Sequence, residues 1–286
     1  VAKIGVQAMM LKQQVADRGA YDVWAQLSRI GFSVVEVSQI ALTPQTRDEI
    51  ARANDELGMS VAAISAGMGE TGGGGNDSLR ESFDKIVADC HALGSSRVRI
   101  GMLPTLALKS KESLVSFAHD AGEMARRLAD HGIILSYHNH HIEFARMDGE
   151  HILDIIRTEA PDLRFELDVH WIQRGGMDPV TVLKAFAGDV DLVHLKDFRI
   201  ALPPAEAFAA LESGDHKTWS EHWSKIVQFA EVGQGNLDFS GVIEAGIDGG
   251  AEYLLIEQDD QYGRDIFDCL AESREHLIKI GYADLL

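Results

Sequence analysis

The chain has 286 residues and a net charge of −19, from 26 basic and 45 acidic side chains. That balance argues against a nucleic-acid partner, whose backbone requires a basic footprint. Two cysteines, Cys90 and Cys269, lie in no CxxC pattern, which excludes a disulfide framework and a thiolate zinc site. No apolar run approaches the ~20 residues of a membrane span and no signal peptide opens the chain, so a soluble, cytoplasmic protein without a membrane partner is expected.

In chain order, short apolar runs alternate with amphipathic ones. A first strand is predicted at residues 3–7 and a helix at 21–30 that Gly31 ends. A second strand at 34–37 precedes a helix at 44–57 with Pro at its start. A third strand at 60–65 leads into GMGETGGGGN (67–76), which lacks the GK[ST] ending of a phosphate loop; a mobile loop over a site and a plain connection both suit it. A helix at 78–93, a strand at 97–100 and a long helix at 113–131 follow. The fifth strand begins at Ile133, Ile134 and Leu135 and runs into YHNHHIEF (137–144). A helix at 151–158, a strand at 163–169, a helix at 179–186 and a strand at 190–196 continue the rhythm. Residues 197–238 break it with Pro203-Pro204, a helical stretch at 205–213 and a further segment at 226–232. A helix at 239–245, a strand at 253–257 and a last helix at 265–280 close the chain.

Eight strand-then-helix units with no proline inside a strand predict parallel pairing. They point to an α/β fold, a closed (β/α)₈ barrel forming one domain over 1–286 with an insertion around 198–238. The GxGxxG fingerprint of a dinucleotide-binding sheet is absent after the first strand.

In such a barrel the carboxyl ends of the strands meet at one mouth. Those ends carry Gln7, Glu36, Ser65, Arg99, His138, His140, Glu143, Asp168, His170, His194, Lys196 and Glu257. A buried strand ending in so many imidazoles has no packing reason to do so, although a satisfied core histidine is the commoner explanation for any one alone. Carboxylates with imidazoles and no thiolates are the donor set of Mn²⁺, Co²⁺, Fe²⁺ or Mg²⁺. Asp168 and Glu257, at the ends of apolar runs, need a cation or an arginine beside them. Lys196 and Arg99 suit a substrate hydroxyl, ketone or phosphate, or else ion pairs with Asp197 and Glu36. Glu231 precedes a glycine turn from which it can reach the mouth or stay solvated. Trp171, Trp219 and Trp223 suit either a wall against a sugar ring or the core.

The runs YHNHHIEF, ELDVHW, HLKD, EVGQGNLDF and IEQDD, in that order and spacing, resemble the sugar phosphate isomerase/epimerase family, a xylose isomerase-like barrel group. The resemblance extends nearly end to end. It implies one divalent ion (Mn²⁺, Co²⁺, Mg²⁺ or Zn²⁺) held by Glu143, Asp168, His194 and Glu257, and a small carbohydrate substrate. In the epimerases the strand-five ligand is a Glu near where His138 stands. Here the expectation is that Glu143 folds back to the metal; the alternative is that His138 or His140 replaces it. The resemblance further implies catalytic roles for His140, Glu143 and Glu257, and substrate contacts for His138, His170, Lys196, Arg99 and Glu231.

The expected enzyme is an isomerase or epimerase acting on a keto sugar, sugar phosphate or cyclic polyol through a metal-stabilised enediolate. Inosose dehydration or 3-keto-glucoside cleavage is the alternative within the group, and a catalytically silent sugar-binding barrel the alternative outside it. A metal-dependent endonuclease is disfavoured by the charge. A homo-oligomer is left open.

Overall fold

The computed structural model describes residues 2–69 and 77–286. Residues 70–76, most of the glycine-rich loop, lie outside it. Eight strands form the barrel: β1 Lys3–Gln7, β2 Val34–Val37, β3 Ser60–Gly67, β4 Arg97–Ile100, β5 Ile134–His138, β6 Arg164–Asp168, β7 Val190–Leu195 and β8 Tyr253–Ile256. Each pairs in parallel with the next, and β8 pairs with β1, which closes the sheet. Outside it lie α1 Ala20–Ile30, α2 Pro44–Leu57, α3 Phe83–Leu93, α4 Lys111–Ala129, α5 Ile152–Glu159, α6 Pro179–Ala185, α7 Phe239–Asp248 and α8 Ile266–Lys279. The predicted (β/α)₈ barrel is therefore the observed architecture. Among the described residues no helix is long and apolar enough to cross a membrane.

Local chemistry explains the helix limits. Thr43, Ser110, Asp178 and Asp265 accept backbone N–H groups at the starts of α2, α4, α6 and α8, filling donors that have no intrahelical partner. Gly58 ends α2 at φ 68°, a left-handed conformation that costs glycine little.

Four segments depart from expectation. Residues 77–78 pair with the end of β3, so the helix expected from 78 starts at Phe83. Lys12–Arg18 and Val169–Arg174 are short helices, too short to carry an amphipathic period. Between β7 and α7, Asp197–Ile200 and Val227–Ala230 form an antiparallel hairpin around two helices, Ala205–Glu212 and His216–Trp223.

Most apolar side chains pack between the sheet and the helices. A second, small cluster of Val34, Ala62, Ala63, Leu192 and Leu255, with Tyr253 against it, is separate from that layer. Gly5 abuts this group closely: a Cβ there would lie 2.5 Å from the Val34 carbonyl oxygen and 2.8 Å from its Cβ. Backbone cannot yield as a flexible side chain does, so Gly5→Ala is expected to cost about 1–3 kcal/mol of stability. Urea denaturation checks this; an unchanged midpoint would contradict it.

Candidate metal and substrate site

The strand ends of β5 to β8 bring four donors together. His138 ends β5, Asp168 ends β6, His194 lies in β7 and Glu257 follows β8. One donor atom from each lies within 4.8 Å of every other, and all four residues are buried. The register places His194 beside Asp168, so neighbouring strands present these two side chains at one level.

Asp168 is held from behind. The backbone N–H of Asp168 donates to Asn139 Oδ1 at 2.9 Å. Asp168 Oδ1 accepts the N–H of Trp171 at 3.0 Å, which commits that oxygen to the following helix and leaves Oδ2 facing the cluster. Oδ2 lies 3.5 Å from His138 Nε2 and 3.7 Å from His194 Nδ1. Glu257 Oε2 is 2.5 Å from His194 Nδ1. Yet Asp168 Oδ2 and Glu257 Oε2 find no hydrogen bond of acceptable geometry. These oxygens converge on a common point opposite His194 and Lys196, a concentration of donors that also suits a metal cation. Two imidazoles and two carboxylates fit Zn²⁺ or Mn²⁺ better than they fit Mg²⁺.

Beneath the four lies a second charged group. His194 Nε2 is 3.0 Å from Glu36 Oε2 and 3.1 Å from Glu166 Oε1. Arg99 Nε lies 2.6 Å from Glu36 and 3.2 Å from Glu166. Glu36, Glu166 and His194 also have metal-binding spacing, but the guanidinium already supplies their counter-charge. Carboxylates behind a ligating imidazole fix its tautomer and direct its other nitrogen forward.

The charges settle accordingly. Burial opposes ionisation of Asp168, but Lys196 with His138 and His194 holds its carboxyl well below the usual range. Burial likewise opposes ionisation of Glu257, and Lys196 and His194 outweigh it. Glu36 falls to about 2 because Arg99 and His194 overcome its burial. Glu166 rises to about 8 through burial and the neighbouring Glu36. Burial disfavours a charged His194, yet Glu166, Glu257 and Glu36 hold it protonated well above its ordinary value. Burial carries His138 down to about 3 and His140 to about 4, so both are neutral at pH 7.

A cavity of about 390 Å³ opens in front of this cluster, lined among others by Gln7, Ser38, Arg99, His138, His140 and Glu257. The His140 ring accepts the backbone N–H of Glu143. Neutral imidazole then carries its hydrogen on the other nitrogen and acts as a donor. Lys196 Nζ reaches Asp259 at 2.7 Å and Glu257 Oε1 at 3.3 Å, and sits over the Trp171 ring at 4.9 Å. His170 is fully buried. Its Nδ1 donates to the carbonyl of Asp197 at 3.0 Å and its ring stacks on Phe229 at 4.6 Å; Nε2 has no partner among the described residues.

Glu143 departs from its expected place. Its Oε1 accepts the Tyr137 hydroxyl at 2.6 Å and its Oε2 accepts the His140 N–H at 2.7 Å, so it caps the turn Tyr137–Phe144 while His138 stands with the other three donors. The alternation that separates His138 from Asn139 stops at His138, where β5 ends, and the chain turns before Glu143 can follow the strand. Glu231 pairs with Arg264 at 2.6 Å and is not among the residues lining the cavity. Trp219 and Trp223 stack on each other in the outer helix pair; Trp171 contacts His140, His141 and His170. Glu166 and Asp259 were not singled out from the sequence. Glu166 lies two residues before Asp168, on the same face of β6, and that period was the available signal.

The sequence pattern of the xylose isomerase-like TIM barrel family matches residues 24–277. No curated protein matches the chain in sequence. Among solved structures, a sugar phosphate isomerase/epimerase from Parabacteroides distasonis superposes with a TM-score of 0.72 at 20% identity, covering 99% of this chain and 96% of its own. An L-ribulose 3-epimerase gives 0.65 at 16% identity, covering 100% and 96%. A probable 3-DHS dehydratase from Bacillus anthracis gives 0.68 at 12% identity, covering 97% and 98%. At these identities the likeness establishes the shared fold.

Two outcomes are expected of metal titrations. Asp168→Ala, His138→Ala and Glu257→Ala should each lose bound Mn²⁺ by elemental analysis while Glu143→Gln keeps it; the reverse pattern would restore Glu143 as the ligand. Because His194 is protonated in the folded metal-free protein, binding at pH 7 should release about one proton per ion, and affinity should fall about tenfold for each pH unit of acidification. Calorimetry in buffers of different ionisation heat reads this; a pH-independent affinity would contradict it.

Proposed function

The chain belongs to the xylose isomerase-like TIM barrel family, and we propose that it is a divalent-metal-dependent isomerase or epimerase of a keto sugar or cyclic polyol. The observation that carries this reading is the convergence of His138, Asp168, His194 and Glu257 on one buried point at the head of an open cavity. Similar barrels described as a sugar phosphate isomerase/epimerase and an L-ribulose 3-epimerase support it.

The four residues would hold the ion. When bound, a divalent ion supplies Lewis acidity to paired substrate oxygens and so acidifies a C–H bond beside a carbonyl. Glu257 is the base. It lines the cavity, is held ionised by Lys196 and His194 against its burial, and takes the proton from carbon. Lys196, 3.3 Å from Glu257 Oε1, stabilises the carboxylate before transfer. His140 offers its N–H to a substrate hydroxyl. Trp171 packs against His140 and shields that side from water. A proton delivered from solvent to the opposite face of the same carbon, with Glu257 keeping the one it removed, epimerises; a proton returned by Glu257 to the adjoining carbon, with the hydroxyl proton moved to the former carbonyl oxygen, isomerises.

Elimination is the second reading. A donor beside a base is what loss of a β-hydroxyl requires, and His140 and Glu257 line the same cavity. The similar fold of a probable dehydratase favours keeping this reading.

The test is proton exchange. Ketohexoses and inososes incubated with Mn²⁺-loaded protein in D₂O are expected to gain deuterium beside the carbonyl. Glu257→Gln should slow this by about 10²- to 10⁴-fold. Binding without exchange by the wild type would point to a silent sugar-binding barrel and contradict the enzyme.

A further inference from the structure

One buried amide in the cavity is employed at one end only. Gln7 ends β1, is fully buried, and lines the cavity with Arg99, His138 and Glu257. Its Oε1 accepts the backbone N–H of Met9 at 2.5 Å. A backbone N–H can only donate, so this contact fixes which end of the amide is oxygen. Nε2, with two hydrogens, is left without a partner among the described residues. A buried unpaired donor costs free energy that an apolar side chain of the same shape would avoid.

The surroundings restrict what can satisfy it. Arg99 is the only cation among the described lining residues. Its Nε lies 2.6 Å from Glu36 and 3.2 Å from Glu166, and its Nη2 donates to Ser38 Oγ at 2.7 Å. Its Nη1 lies against Gly101, where a Cβ would sit 2.7 Å away. Lys196, not a lining residue, is committed to Asp259 and Glu257. Lys12, also outside the lining, donates to Gln39 Oε1 at 2.9 Å. On the same side Met9, Met68, Met102, Leu103 and Pro104 supply an apolar wall. Phosphate groups are commonly held by an arginine or lysine free to pair with them, and the one arginine lining this cavity among the described residues is already paired with Glu36 and Glu166. A carbonyl, ether or hydroxyl oxygen is satisfied by a neutral donor such as the amide of Gln7.

We propose that Gln7 determines specificity by donating from Nε2 to an uncharged oxygen of the substrate, and that the substrate is a sugar or polyol without a phosphate group. The proposal rests on the cavity being the substrate site. It goes further by excluding the phosphorylated members of the substrate class and by naming the residue that reads the free ones.

The test measures binding apart from turnover. Calorimetry with Mn²⁺-loaded protein compares D-fructose, D-psicose, D-sorbose and D-tagatose with their phosphate esters. At least one free sugar should bind about tenfold more tightly than its ester. Gln7→Leu removes the donor. Gln7→Glu keeps an acceptor for Met9 N–H and replaces the donor with a second acceptor, so it serves if the leucine variant does not fold. Either variant should weaken the free sugar about tenfold or more while its Mn²⁺ content stays that of the wild type. Tighter binding of any ester, no binding of any free sugar, or unchanged affinity in the folded Gln7 variants overturns the proposal. Exchange in D₂O is followed separately. Selective binding without exchange would remove the enzyme reading and leave Gln7 in its role; exchange with no ester discrimination would do the opposite.

Discussion

The site depends on one imidazole between two sets of carboxylates. His194 faces Glu36 and Glu166 with Nε2 and faces Asp168, Glu257 and His138 with Nδ1. Isolated buried carboxylates would be too costly to ionise. Here Arg99 neutralises the lower set, Lys196 the upper, and His194 is shared by both. Removing any of the three cations would leave a carboxylate buried and unpaired. The polar interior of the barrel is therefore a single electrostatic unit, with His194 as its link.

The scaffold fixes this unit by ordinary means. Alternation along each strand sends every second side chain inward, so Glu166 and Asp168 on β6 supply one carboxylate to each level. Closure through β8 and β1 brings Gln7 beside Glu257 at the cavity. The segment after β7 is tied down by Asp197, which accepts the N–H groups of Gly233 and Gly235 at 2.9 and 2.8 Å. That clamp holds the hairpin whose Phe229 supports His170 and underlies Lys196. A close approach of backbone enforces glycine at 235, where a Cβ would meet the Phe198 carbonyl oxygen at 2.4 Å.

The barrel was legible because its signals are local: apolar runs at 34–37 and 190–196, prolines at helix starts, glycines at helix ends. Strand-end logic also found Asp168, His194, Glu257, Lys196 and Arg99, all of which meet in one place. Glu143, read from the same strand end, and Glu231, read from the glycine turn, lie apart from these. Each follows a strand on a turn, and a turn reverses direction in ways that residue spacing does not record. Glu143 bonds back to Tyr137 and His140 within the same run, and Glu231 meets Arg264, distant in sequence. The hairpin at 197–230 was missed as a hairpin because its second strand, Val227–Ala230, is short and its partner lies beyond two helices. Gln7 was visible only as a polar end to β1; its unpaired nitrogen required coordinates.

The central claim is that His138, Asp168, His194 and Glu257 share one cation. Anomalous diffraction from crystals of the full chain grown with Mn²⁺ tests it most directly. The account predicts one strong anomalous peak within bonding distance of donors from all four residues, with Glu143 still bonded to Tyr137. A peak coordinated by Glu143, or one among Glu36, Glu166 and His194 with Arg99 displaced, would contradict it.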